Sequence, residues 1–306
     1  MRAAAILGLG CSLKDLKPFQ ADTSRAIDWR VGLPAASDHA DVVLLFGGDG
    51  TIHRHLGQLV KLSLPVLVVP AGSGNDFARA LGIRRTSDSL AAFRRFCGAR
   101  NNVKAIDLGL VTPLASSPAT PEPSRDAITG PRYFCSVAGV GLDAEVARRA
   151  NHLPRWLRGN GGYAVTLAPT IFRFAAFRLK IQTADNASND ADVIWTTRSD
   201  QPTILAAFAN SPVYGGGMKI APRAQMDDGA LDVCVVKGVN PFKLFCMFPT
   251  VYFGRHLRIR EVEYFQASRL QVETEHPLDV YADGEYVCQT PIEVDVAKAA
   301  LRVVIP

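Results

Sequence analysis

Apolar residues follow two different rhythms along this chain. Ala3 to Leu9, Val42 to Phe46 and Val66 to Val69 are solid apolar runs, too short for helices, which predicts buried strands. Between and after them, Thr51 to Leu62, Asn75 to Leu81 and Ser87 to Cys97 can form helices, the last with an amphipathic spacing. Leu13 to Val31 fits neither pattern, and Leu33 to His39 is a polar connection containing proline. Strands alternating with helices predict a parallel sheet with helices on both faces, a Rossmann-like α/β domain.

After Val103 the rhythm changes. Ala105 to Val111, Tyr133 to Val137, Phe177 to Thr183, Val193 to Thr197, Thr203 to Ala209, Leu231 to Val236, Leu270 to Glu275, Val280 to Ala282 and Ala300 to Ile305 read as short strands separated by turn residues. That pattern predicts an antiparallel β-sandwich, interrupted by helical pieces at Asp143 to Ala150, Gly162 to Phe174 and Pro241 to His256. Pro113 to Pro131, rich in Pro, Ser and Thr, reads as a mobile loop. The expected division is 1–108 for the α/β domain, with 291–306 packing back on it, and 109–290 for the sandwich, with the mobile loop at 113–131.

Length supports two domains, since 306 residues are many for one core. A hydrophobic share of 48% and a charged share of 21% are those of an ordinary globular chain. The net charge of +5, without a dense Lys/Arg run, argues against nucleic acid and favours acidic small molecules or an anionic membrane surface. Six scattered cysteines with no CxxC pair read as reduced, mostly buried thiols, which fits the cytoplasm. The N-terminal apolar run has only Arg2 before it and reads as a strand rather than a signal peptide. No apolar run reaches the roughly 18–20 residues of a membrane span.

Two glycine turns stand where chemistry is expected. Gly47-Gly48-Asp49-Gly50-Thr51 follows one predicted strand, with Thr51 placed as a helix N-cap. Pro70-Ala71-Gly72-Ser73-Gly74-Asn75-Asp76 follows the next, with Asn75 and Asp76 as cap residues. Strand, glycine turn and helix start is the arrangement that presents backbone N–H groups to a phosphate. The first turn lacks the lysine of a P-loop, so a metal must neutralise charge, with Asp49 as the candidate ligand. His53 and His55 lie on different sides of their helix and read as surface residues rather than a metal pair. Phe242, Phe245, Phe248, Tyr252 and Phe253 read as core, with an acyl-chain pocket as the rarer alternative.

GGDGT followed by PAGSGNDFARALGI resembles the diacylglycerol kinase catalytic-domain family, which includes bacterial soluble lipid kinases and is related to sphingosine and ceramide kinases. Ala105-Ile106-Asp107-Leu108-Gly109, the stretch Ser136 to Ala144, the stretch Asn210 to Asp232 and Asp283-Gly284-Glu285 continue the resemblance in order. It implies a nucleotide-binding α/β domain and a β-sandwich domain with the active site in the cleft between them. It also implies an ATP- and Mg²⁺-dependent kinase acting on a lipid hydroxyl, diacylglycerol-like, peripheral at the inner membrane face. By the same resemblance Asp49, Asp76 and Asp107 form a metal-linked network at the ATP phosphates. Gly47, Gly48, Gly50, Thr51, Gly72, Ser73, Gly74 and Asn75 line the nucleotide, and Glu285 is the catalytic base. Asp283-Gly284, taken alone, is equally the commonest hairpin turn. Gln225, Asp228 and Ala230 match a magnesium loop of one carboxylate and two carbonyls, with a plain Asp-Asp-Gly turn as the rival reading. The chain departs from the family at Leu7 to Ser12, LGLGCS in place of an Asn-Pro-x-Ser-Gly loop, and at His53-Arg54 in place of Asn-Glu. These departures keep a nucleotide- or lipid-binding pseudokinase open as an alternative; NAD kinase, which shares GGDGT, is a third reading that the downstream motifs argue against. The oligomeric state, a homodimer included, is left open.

Overall fold

The computed structural model describes residues 1–21, 26–114, 130–151, 160–184 and 193–306. The chain divides into two compact units, Met1–Leu108 with Lys298–Pro306, and Gly109–Ala297.

In the first unit the order is β1 (Arg2–Leu7), α1 (Leu13–Ala21), β2 (Asp28–Val31), β3 (Val42–Gly47), α2 (Asp49–Leu62), β4 (Val66–Pro70), α3 (Asp76–Ala80), α4 (Thr86–Ala99) and the first part of β5 (Val103–Pro113). The strands β4, β3, β1 and β2 lie side by side and parallel, as the strand–helix alternation predicted. Leu13 to Val31, ambiguous by pattern, holds α1 and β2. Every residue of β3 is buried, which is why its sequence is solidly apolar rather than alternating. Phe19 of α1 meets Phe46 edge-on at 5.4 Å and Phe93 of α4 at 5.8 Å, joining both helices to the sheet. The buried Ser89 hydroxyl donates to Val68 O at 2.8 Å, fixing α4 on β4.

The second unit is antiparallel. Its strands are the rest of β5, β6 (Arg132–Phe134), β7 (Val137–Gly141), β8 (Phe177–Ala184), β9 (Trp195–Ala209), β10 (Leu231–Lys237), β11 (Val262–Ala267), β12 (Arg269–Thr274), β13 (Asp279–Ala282), β14 (Glu285–Gln289) and the first part of β15 (Ile292–Val304). Its helices are α5 (Leu142–Asn151), α6 (Asn160–Ile171) and α7 (Pro241–Met247). Phe134, Leu179, Phe208, Val233, Val272 and Val294 meet in one core that no solvent reaches.

Several boundaries differ from the sequence pattern. Tyr133 to Val137 is two strands, β6 and β7, because the chain turns at Cys135-Ser136. Val193 to Thr197 and Thr203 to Ala209 belong to one long strand. Its polar middle is held by pairing with β8 and by the Arg178–Asp200 ion pair at 2.8 Å. The helix expected over Pro241 to His256 stops at Met247 and continues as 3₁₀ turns over Phe248–Phe253 and Arg255–Arg258. Pro249 explains the stop, since it has no N–H to continue the ladder. β11 and β14 carry no alternation strong enough to have been predicted. The loop expected at 113–131 falls mostly on 115–129, outside the described residues.

All six cysteines are free, and four are buried. Among the described residues no helix is long and apolar enough to cross a membrane.

Candidate functional site

Strand register decides which loops become neighbours. Leu7 lies beside Phe46, Phe46 beside Val69, and Gly47 beside Pro70, so three loops leave the carboxyl edge of the first sheet together. In open parallel sheets that edge is where ligands bind. The two glycine turns predicted from the sequence are two of these loops. The third, after β1, is the Leu7 to Ser12 stretch at which the chain departs from the family's loop.

The turns are in contact with one another. Ala71 N donates to Gly47 O at 3.1 Å. A Cβ added to Gly72 would stand 2.5 Å from Gly48 Cα, so neither position has room for a side chain. Gly8 and Gly47 both lean on Thr51, whose Oγ1 would meet their added Cβ atoms at 2.6 and 2.7 Å. Thr51 is therefore a packing residue and not the helix cap that its sequence position predicted. The helix starts two residues earlier, with Gly48 as N-cap and no side-chain cap bond. That leaves the N-terminal end of α2, a helix of 14 residues, open to an anion.

Asp49 opens α2, and its carboxylate reaches the other turn. Oδ2 accepts from Asp76 N at 3.0 Å and Oδ1 from Phe77 N at 3.1 Å. The carboxylate so caps α3, whose own N-cap residue, Asn75, makes no side-chain cap bond. The Asn75 side chain instead closes its turn, accepting from Gly72 N at 2.9 Å and donating to Gly72 O at 2.6 Å. Gly74 leaves space for this arrangement, since a Cβ there would lie 2.8 Å from Asp49 Oδ2. Asp76 is buried and pairs with Arg79 at 2.7 Å. Asp49, Asp76, Gly72, Gly74 and Asn75 are thus drawn together. Ser73, between the two glycines, is exposed at the tip of that turn. Asp107, buried on β5, accepts from Ala299 N at 2.7 Å and fixes the returning C-terminal strand. His53 and His55 are half-buried, not surface residues, and His55 Nδ1 is buried with no hydrogen-bond partner among the described residues.

In the second unit Glu285 is exposed and opens β14, directly after Asp283-Gly284. Both turn residues have positive φ, 51° and 83°, and Ala282 pairs with Glu285, which makes this a tight hairpin turn of the type that Asp-Gly favours. Asp283 does more than turn the chain. Its carboxylate accepts from Cys135 N at 2.9 Å, Ser136 N at 2.8 Å and Val137 N at 3.3 Å, all buried backbone. Asp283→Ala strands these donors and should destabilise the protein by roughly 3 kcal/mol. Asp283→Asn keeps an acceptor and tolerates the left-handed backbone, so it should cost about 1 kcal/mol. Urea unfolding midpoints compare the two; equal losses would mean that the turn conformation, not the carboxylate, carries the effect.

The loop expected to hold magnesium is a compact turn. Asp228 Oδ1 accepts from Ala230 N at 3.1 Å, and Gln266 Nε2 bridges Asp228 and the buried Asp232 at 3.2 and 3.3 Å. Burial pushes the Asp232 carboxyl up from its ordinary value. Gln225 is exposed. Among the described residues no group of three His, Cys, Asp or Glu side chains is placed to hold a metal ion.

A cavity of about 60 Å³ lies in the second unit among α5, α6 and α7, with Val146, Leu167, Ile171, Leu244 and Met247 in its apolar wall. Asp143 and Tyr214 give it a polar side, with Tyr214 OH donating to Asp143 Oδ1 at 2.9 Å. Gly139 is the reason Asp143 fits, because a Cβ there would come within 2.4 Å of its Oδ2. His256, buried in the same wall, donates from Nε2 to Ile220 O at 3.0 Å, and burial holds its imidazole below the usual pKa. Of the five aromatics read as core, Phe248 lines this cavity, while Phe242, Phe245, Tyr252 and Phe253 are exposed.

Known proteins share both halves of this construction. Residues 21–111 match the diacylglycerol kinase catalytic domain, and residues 136–305 match the YegS C-terminal NAD kinase beta sandwich-like domain. A diacylglycerol kinase of Mycobacterium tuberculosis is 30% identical over 272 residues, 89% of this chain and 79% of its own length. The chain belongs to the diacylglycerol kinase family. Within the family, the diacylglycerol kinase of Bacillus subtilis is 26% identical over 274 residues, covering 89% of this chain and 80% of its own. The crystal structure of a diacylglycerol kinase from Bacillus anthracis shares the fold at a TM-score of 0.64 and 18% identity, over 100% of this chain and 96% of that one. The family and the fold class are those that the motifs implied.

Proposed function

We propose that this member of the lipid kinase family uses ATP and Mg²⁺ to phosphorylate the hydroxyl of a diacylglycerol-like lipid at the cytoplasmic membrane face. The observation that carries the reading is the pair of glycine turns packed Cα to Cα, with Asp49 of one capping the helix that follows the other. Such a pair is rigid, free of side chains at its contact, and adjoined by the uncapped end of α2, which suits a polyphosphate. These residues fit a nucleotide. Magnesium would enter with the phosphates and neutralise their charge as a bond to phosphorus breaks. Asp49 and Asp76 would order the loops and the metal's water, while Asp228, with carbonyls of Gln225 and Ala230, would hold a second, structural ion.

Glu285 takes the lipid hydroxyl proton; the new O–P bond forms as the bond between the γ-phosphorus and the ADP oxygen breaks. The apolar cavity of the second unit receives the start of an acyl chain; at about 60 Å³ it admits a few methylene-sized groups as it stands.

Purified protein incubated with labelled ATP, Mg²⁺ and a panel of lipid alcohols in mixed micelles should yield a phosphorylated lipid. Tight ATP binding with no lipid product across the panel would replace this reading with the binding-only one. Label appearing in NAD instead would make the chain an NAD kinase.

A further inference from the structure

The aromatics that failed to become core form a surface. On α7, Phe242 and Phe245 are one helical turn apart and 71% and 46% exposed. Phe172, just past α6, is also exposed, and its ring lies 5.8 Å from that of Phe245. Tyr252 stacks edge-on to Phe248 at 5.8 Å and, with its neighbour Phe253, continues the exposed run through the following 3₁₀ turn. Burying a side chain of this size is worth more than any ordinary surface contact, so a cluster left in water marks a partner surface.

The charge around it is mostly positive, Glu261, paired with Lys243 of α7 at 2.7 Å, being an acidic exception. From Val239 to Arg260 there is no acidic residue, and Arg255, Arg258 and Arg260 are exposed. Arg173 follows Phe172 directly and is exposed as well. Lys219, also exposed, is tied to the aromatic turn by its backbone N–H, which donates to Val251 O at 3.1 Å. Arg260 acts on the adjacent Glu261, whereas among the described residues Arg173, Arg255 and Arg258 have no carboxylate paired with them. A second copy would bring the same positive charge against this face, whereas an anionic bilayer complements it.

The helix beneath the patch joins it to the cavity. α7 turns Phe242 and Phe245 outward while Leu244 and Met247 line the apolar space inside. We propose that the face built from Phe172, Phe242, Phe245 and the 3₁₀ aromatics, flanked by Arg173, Arg255 and Arg258, docks on an anionic lipid bilayer. The phenyl rings enter the interface, the arginines meet lipid phosphates, and a chain leaving the bilayer meets α7 first. The link from docking to chain capture rests on the lipid-kinase reading; the docking itself does not.

Co-sedimentation of the full chain with vesicles tests it. The protein should pellet with equal phosphatidylglycerol and phosphatidylcholine, weakly with phosphatidylcholine alone, and less as salt rises. Phe242→Ser with Phe245→Ser should lower vesicle affinity at least about tenfold. Arg255→Glu with Arg258→Glu should abolish the preference for anionic vesicles, also about tenfold or more. All four positions are exposed, so unfolding midpoints should match the parent. Turnover of dihexanoylglycerol below its micelle concentration should be unchanged in both variants, since no membrane is involved. Variants that pellet like the parent would overturn the proposal. So would a parent that ignores vesicles and is a dimer which the Phe242→Ser/Phe245→Ser change splits. Vesicle binding lost as expected in a protein that phosphorylates no lipid would leave the docking face standing and remove the kinase reading instead.

Discussion

Glu285→Gln should lower kcat by roughly 10²–10⁴-fold, the usual contribution of a positioned general base, and leave nucleotide affinity nearly unchanged. The substitution keeps side-chain volume and shape while removing the basic oxygen that accepts the hydroxyl proton. It touches little of the fold: Glu285 is exposed, and its position is set by backbone pairing with Ala282 and by the Asp283 anchor beneath the turn. A fall in kcat with an unaltered unfolding midpoint and an unaltered ATP titration therefore isolates the chemical step. Glu285→Asp, one methylene shorter, should recover part of the rate if proton transfer is the role. A Glu285→Gln protein that turns over within a few-fold of the parent would remove Glu285 from the chemistry and leave Asp283 as the reason for the motif.

The sequence displayed the parts of this molecule better than their partnerships. β3 and β4 were legible because burial on both faces forces a solid apolar run, a signal that depends only on adjacent residues. The glycine turns were legible for a similar reason, since two loops in contact exclude side chains. What they exclude side chains for was hidden. Nothing local reveals that the Asp49 carboxylate lies against the backbone N–H groups of Asp76 and Phe77. Thr51 and Asn75 read as caps on local rules; tertiary packing leaves α2 without a side-chain cap and gives the capping of α3 to Asp49. Asp283 had no signal beyond Asp-Gly, although its bonds to the backbone at 135–137 span about half the chain. The aromatic run 242–253 failed in the other direction: hydrophobicity predicts burial, and only the structure separates Phe248 inside from Phe242 and Phe245 outside.

Gly72→Ala should cut kcat/KM by about a hundredfold and weaken ATP binding as well, because a misplacement of about 1 Å at a positioning loop has that effect. The cause is steric and confined to backbone. A methyl group at Gly72 would sit 2.5 Å from Gly48 Cα and 3.0 Å from Gly48 N, and neither atom belongs to a flexible side chain that could swing aside. The turns must separate, taking with them the Asn75 bonds to Gly72 and the Asp49 cap on α3. Overpacking of this kind costs roughly 1–3 kcal/mol, so the unfolding midpoint should fall too. Gly57→Ala supplies the contrast. It lies within α2, nothing stands within 4 Å of its added Cβ, and removing a helical glycine should raise stability by roughly 0.5–1 kcal/mol with turnover intact. Isothermal titration with ATP and a steady-state assay on both variants separate the effects of fit from those of fold. If Gly72→Ala binds ATP as the parent does, the contact between the two turns organises the sheet edge but not the nucleotide, and the phosphate site must be sought at the end of α2 alone.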